Sequence, residues 1–269
     1  METASSVKIN RLSVVVAIIL TAFGVSVLVP ARVFDLNISV FRVMISFPID
    51  LNFLSNLLTG LLAATGMVWF LQLHPGITGN NTLLQHALVP AVTAYILNIS
   101  LHAITISVSW WVIFFIGGLI LFLIILAEYS VIDPLDVWYP VASAGLLSLT
   151  YALFLILLSV IAFSGARLFV LIVSVFPVAS LLSFRALQLR TGIWASGWAV
   201  GIGFITTQFA LVLHYWPLTP VQYGLFLTGV IFSLLEFAEN TIEGETGRRA
   251  FREPLFGLIL FLLIGLFAR

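Results

Sequence analysis

Residues 236–253 read EFAENTIEGETGRRAFRE and lie between two apolar runs, 220–236 and 254–268. The stretch holds 8 of the chain's 22 charged residues in 18 positions, so it marks where the chain meets water. What it interrupts decides the fold. The 269 residues are 61% hydrophobic and 8% charged, with a mean hydropathy of +1.19, whereas a soluble domain carries about a quarter charged residues. A water-soluble core could not hide this much apolar surface, so lipid must be the solvent for most of it. In hydrocarbon every backbone polar group has to bond within the protein, which favours helices.

Outward from this stretch, nine apolar runs approach the roughly 20 residues that a helix needs to cross about 30 Å of hydrocarbon. They are 12–30, 52–72, 83–101, 104–127, 141–163, 168–184, 193–214, 220–236 and 254–268. The third is interrupted by His86, Pro90 and Asn98. The ninth has 15 residues, about 22 Å of helix, and need not cross fully. The first follows Lys8 and Arg11, exceeds the ~7–15 residues of a signal core and lacks a small-x-small cleavage site, so it reads as an uncleaved span. The expected fold is all-α: a polytopic transmembrane helix bundle of eight or nine spans, forming a single integral membrane domain over residues 1–269.

Orientation follows from the cations of the connections. With nine crossings and the N-terminus inside, Lys8, Arg11, Arg185, Arg190, Arg248, Arg249 and Arg252 share the inner side, and Arg32, Arg42, Arg167 and Arg269 the outer side. Tryptophan and tyrosine near the run ends, such as Trp69, Trp110, Trp138 and Trp194, suit the membrane interface. In the first outer loop, residues 33–47 alternate apolar and polar side chains, which predicts a short β-hairpin or an extended segment along the interface.

Pro30-Ala-Arg32, the alternating segment after it and the second run ending on His74-Pro75 together resemble a family of uncharacterised bacterial multi-pass membrane proteins. The likeness covers the first 75 residues or so and the hydropathy profile. It implies a cytoplasmic cell membrane and no assigned activity.

Composition excludes several classes. Net charge is zero, so nucleic acid is not an expected partner. Cysteine is absent, which removes disulfides, thiolate nucleophiles and cysteine metal sites. No Asp, Glu, Lys or Arg sits at the centre of a run, although a proton-coupled pump normally carries one. Glu128, Arg167, Arg185 and Glu236 fall at run ends, where they are expected to snorkel. No catalytic motif and no cofactor site is recognised.

Polar candidates remain. If the eighth run stays helical, Glu236, Glu239, Asn240 and Glu243 share one face and need inner arginines, a cation or solvent. Glu128, Asp133 and Asp136, expected on the same side, could join them around a divalent ion, with His86 the nearest candidate partner for a carboxylate. The competing reading is a solvated connector that stops near Gly244 and Gly247, with Pro254 opening the ninth run and His86 an interfacial histidine. Thr206, Thr207, Gln208 and Asn98 would either join helices by hydrogen bonds or line a path. Gly197 and Gly201, with Gly203, invite close packing.

Three functions follow in order. The first is a non-catalytic structural or assembly component, with the bilayer and a membrane-protein partner or second copy as partners. The second is a transporter for a small neutral molecule or lipid. The third is an inner-leaflet enzyme using Glu236 and Glu239.

Overall fold

A computed structural model describes residues 2–28, 33–40, 43–72, 74, 80–133, 135–245 and 247–268. Arg32, Arg42, Arg269 and Pro75 lie outside the described residues, as do the side chains of Lys8 and Arg249. The helices are α1 (Glu2–Leu28), α2 (Leu51–Leu71), α3 (Asn80–His102), α4 (Val108–Ser130), α5 (Tyr139–Phe163), α6 (Leu168–Thr191), α7 (Ser196–His214), α8 (Pro220–Ile242) and α9 (Arg248–Phe267). Among the described residues, nine helices are long and apolar enough to cross a membrane.

Several helices run past the ends of their apolar runs. Helix α4 runs on through Glu128, α6 through Arg185 and Arg190, and α9 begins at Arg248 instead of Pro254. A charge ends an apolar run in sequence, but it need not end a helix if another side chain receives it. Glu128 and Arg185 do not snorkel to water: they are 0% and 2% exposed. Pro254 is therefore inside α9 and not in its first turn. Proline has no N–H for the carbonyl four residues earlier. That carbonyl, of Ala250, instead accepts from the Asn240 side-chain amide of α8 at 3.4 Å.

Between α1 and α2 the backbone runs as β1 (Val33–Val40) and β2 (Val43–Asp50), paired antiparallel. The register sets Phe34 against Ile49, Leu36 against Phe47, Ile38 against Ile45 and Val40 against Val43. Asn37 meets Ser46 on the other face.

The chain divides into two compact units, Met1–Ile132 and Asp133–Arg269. In the first, α1 to α4 enclose a core containing Val15, Ile19, Phe23, Met67, Leu97 and Ile125. Arg11 of α1 lies 4.7 Å from the Trp69 ring centroid of α2, a cation–π contact. Deep in this unit Asn98 of α3 ties three helices together. Its amide donates to Asn56 Oδ1 (2.9 Å) and Thr59 Oγ1 (3.3 Å) of α2, and its oxygen accepts from Ser26 Oγ (2.7 Å) of α1. The expectation that Asn98 joins helices holds. Asn98→Leu is expected to cost about 1–3 kcal/mol, since one interhelical bond is worth roughly 0.6–1.7 kcal/mol and Asn56 and Ser26 lose their shared partner. Thermal unfolding in detergent measures it, and an unchanged midpoint would show that the network contributes nothing.

In the second unit, α5 to α9 bury residues such as Phe154, Leu158, Val175, Leu182 and Leu227. Helix α8 starts on a capping box: Thr219 Oγ1 accepts from Gln222 N–H, and Gln222 Oε1 accepts from Thr219 N–H. It ends at Ile242, before Gly244, whose φ of +85° suits glycine. Helix α9 packs along α8 through three glycine–phenylalanine contacts: Gly229 faces Phe261, Gly257 faces Phe232 and Gly265 faces Phe226. A Cβ at 229 would fall 2.5 Å from the Phe261 Cβ, which cannot rotate away. On α7 the close approach expected of its glycines is made at Gly203, where a Cβ would collide with Ser180 Oγ of α6, whereas a Cβ at Gly197 or Gly201 meets nothing within 4 Å. Those two glycines do not bring a neighbour close; they line an apolar groove of about 410 Å³ with Trp198, Ile205, Leu234 and Phe237. Gly229→Ala should therefore cost about 1–3 kcal/mol by overpacking, while Gly201→Ala should be neutral or gain up to about 1 kcal/mol from helix propensity. Equal unfolding midpoints for the two variants would contradict the packing described.

Candidate functional site

The acidic residues of the 236–253 stretch separate once α8 is built. Glu236 and Glu239, one turn apart, both turn to Arg190 of α6, whose Nη1 donates to Glu236 Oε1 and to Glu239 Oε2. Arg190 Nη2 also donates to the Tyr151 hydroxyl of α5 at 3.1 Å, and the Tyr151 ring packs at 5.5 Å on Phe232 of α8. One guanidinium thus joins three helices, and all of its carboxylate partners lie more than 40 residues away in sequence. One oxygen of each carboxylate, Glu236 Oε1 and Glu239 Oε2, accepts from the guanidinium. Of the three remedies foreseen for like charges on one helix face, the structure supplies an arginine.

Asn240 turns away from this cluster to α9, and Glu243 is the exposed cap of α8. Asp133 and Asp136 each fold back on their own turn, Asp133 Oδ1 accepting from Leu135 N–H (3.0 Å) and Asp136 Oδ1 from Trp138 N–H (3.1 Å). These are Asx-type bonds that shape the chain just before α5. In the first unit Glu128 meets His86: His86 Nδ1 lies 2.8 Å from Glu128 Oε2. His86 is 8% exposed, a buried partner to a carboxylate. His74 stands edge-on to Tyr129 at 4.5 Å. Among the described residues no three His, Asp or Glu side chains are grouped to hold a metal ion.

The suggested neutral path through α7 has no common face. Thr206 and Thr207 are buried, and Thr207 Oγ1 donates to Gly203 O, whereas Gln208 is exposed on the other side of the same helix. Asn98 is engaged by Asn56, Thr59 and Ser26. Sequence reasoning missed Tyr151 and Asn56, because a lone tyrosine or asparagine in a span gives no signal until its partner is known.

The arrangement does one thing chemically: it holds charge and polarity inside the helices by mutual pairing. No curated protein and no solved structure matches the chain. A family model matches residues 29–268, so the chain belongs to the family described as "Protein of unknown function (DUF5656)".

Proposed function

We propose that this protein is a non-catalytic structural or assembly component of a cell membrane, acting through its helix surfaces and not through a reaction centre. The observation that supports it most is the engagement of Glu236 and Glu239, the best acid–base candidates, by a single guanidinium. One oxygen of each carboxylate already accepts a charge-assisted hydrogen bond from within the protein. The groove beside Gly201 is lined almost wholly by apolar groups. Large apolar side chains such as Phe115, Leu119, Phe204 and Phe256 are exposed, which suits contact with lipid or with another membrane protein. The N-terminus is taken to lie in the cytoplasm, following the cation bias.

The test is complementation of a deletion strain by Glu239→Gln, with elemental analysis of the purified protein. A structural role predicts that Glu239→Gln restores the wild-type phenotype whenever it accumulates to wild-type level, and that no divalent ion co-purifies at stoichiometric amount. A well-folded Glu239→Gln protein that fails to complement, or one equivalent of bound metal, would overturn the proposal in favour of an enzyme.

A further inference from the structure

Gln208 differs from the other amides of the long helices. Asn98 donates to Asn56, Gln188 accepts from Arg185 and Asn240 donates to α9. The Gln208 side chain is exposed and has no hydrogen-bond partner among the described residues. Its helix, α7, is long and apolar enough to cross a membrane, and exposed Trp194 and Tyr215 flank its two ends, as suits the two interfaces. Gln208 lies about 18 Å along the axis from Ser196 and about 9 Å from His214. Side chains on a helix tilt toward its N-terminus, so this amide is directed back toward the middle of the span and not out to the nearer surface. In hydrocarbon its two donors and its acceptor go unmet, which is costly.

One face of α7 is already used. Ala199, Ile202, Gly203, Thr206 and Ala210 are buried within the second unit. Gly197, Gly201, Phe204 and Gln208 follow at steps of 4, 3 and 4 residues, the spacing that keeps a stripe turned to one partner along a helix. A Cβ at Gly197 or Gly201 would meet nothing within 4 Å, and Phe204 is 57% exposed, so this stripe is uncovered among the described residues.

Whatever covers it must offer a polar group at the depth of Gln208. A second copy inserted the same way does so by construction: a two-fold axis along the membrane normal sets each residue of one α7 level with the same residue of the other. A primary amide both donates and accepts, so the partial charges of two Gln208 amides are complementary under that rotation. The glycines let the two backbones come near enough for the amides to meet.

We propose that α7 is the docking face for a second copy of this chain, with the Gln208 amides of the two copies hydrogen-bonded to each other. The inference gives the structural reading its partner and rests on it. The test reads association, which complementation by Glu239→Gln does not, so failure of one is distinguishable from failure of the other.

The absence of cysteine makes the test direct. Donor and acceptor fluorophores are attached to Glu243→Cys, an exposed position just past α8, and the full chain is reconstituted into phosphatidylcholine vesicles. Energy transfer between copies should fall along a monomer–dimer curve as lipid is added. Gln208→Leu should raise the dissociation constant about tenfold, the effect of two interhelical hydrogen bonds. Gly201→Ile, whose side chain has room within its own chain, should also weaken association. Independently, Phe204→Cys should form an intermolecular disulfide on oxidation. Phe209→Cys should not, since that position is exposed but turned about 140° round the helix from Phe204. Transfer absent at every lipid ratio would leave the face to lipid or to a different protein and overturn the proposal. Transfer that Gln208→Leu leaves unchanged, or disulfides at 209 as readily as at 204, would place the second copy on another face and overturn it equally.

Discussion

Replacing Arg190 with leucine should lower the unfolding free energy by about 2–4 kcal/mol. The range sits just below the 3–5 kcal/mol typical of breaking a fully buried ion pair, because the Arg190 side chain is 15% exposed and water screens part of the loss. The leucine removes the cation that Glu236 and Glu239 share and leaves two carboxylates one turn apart on α8, facing each other. Arg190→Lys should recover only part, since a compact ammonium lacks the planar fork that reaches the carboxylates from Nη1 and the Tyr151 hydroxyl from Nη2. The triple variant Arg190→Leu, Glu236→Gln, Glu239→Gln should recover more than Arg190→Lys, because neutral amides no longer need the cation. Denaturant unfolding in mixed micelles gives the four values. If the single variant loses less than about 1 kcal/mol, the cluster behaves as an exposed surface pair.

The second large effect is expected at Glu128. This carboxylate is fully buried in α4, with His86 Nδ1 2.8 Å from its oxygen. Glu128→Leu removes the acceptor and strands the groups that face it, at a cost of about 3–5 kcal/mol. Glu128→Gln keeps an oxygen in nearly the same place, so its loss should be about half as large. If the two substitutions cost the same, it is side-chain charge and not the acceptor position that matters. If neither destabilises, the His86 contact is incidental to folding.

Why hydropathy found the helices yet misplaced their ends is visible at α6. Its apolar run stops at Phe184, and Arg185 and Arg190 read as cations of a connection. In the structure both belong to the helix, which ends at Gly192 with φ +68°. Hydropathy measures how a side chain partitions between lipid and water. It cannot register that Arg190 meets Glu236 from another helix, 46 residues further on. The same blindness clipped Glu128, which meets His86 of α3, from α4. Removing Arg185 from the solvent-facing cations also thins the inner-side excess that set the expected orientation. On the candidate residues the legibility was partial. A shared face for Glu236 and Glu239, and their need for a cation, follow from helical spacing alone. The separation of Asn240 toward Ala250 does not, because it depends on the carbonyl that Pro254 leaves open in the neighbouring helix.

The glycine–phenylalanine contacts between α8 and α9 have a mechanical meaning. Gly229, Phe232 and Phe226 face Phe261, Gly257 and Gly265. Sliding α9 by one helical turn, about 5.4 Å, in either direction would set Gly229 opposite Gly257 or Gly265, and one phenylalanine opposite Phe261. Each such step opens a void at one position and a collision at the next. The two helices therefore have a single setting and no neighbouring one to slip into. A pull applied to α9 is thus resisted by α8, the helix that carries Glu236 and Glu239.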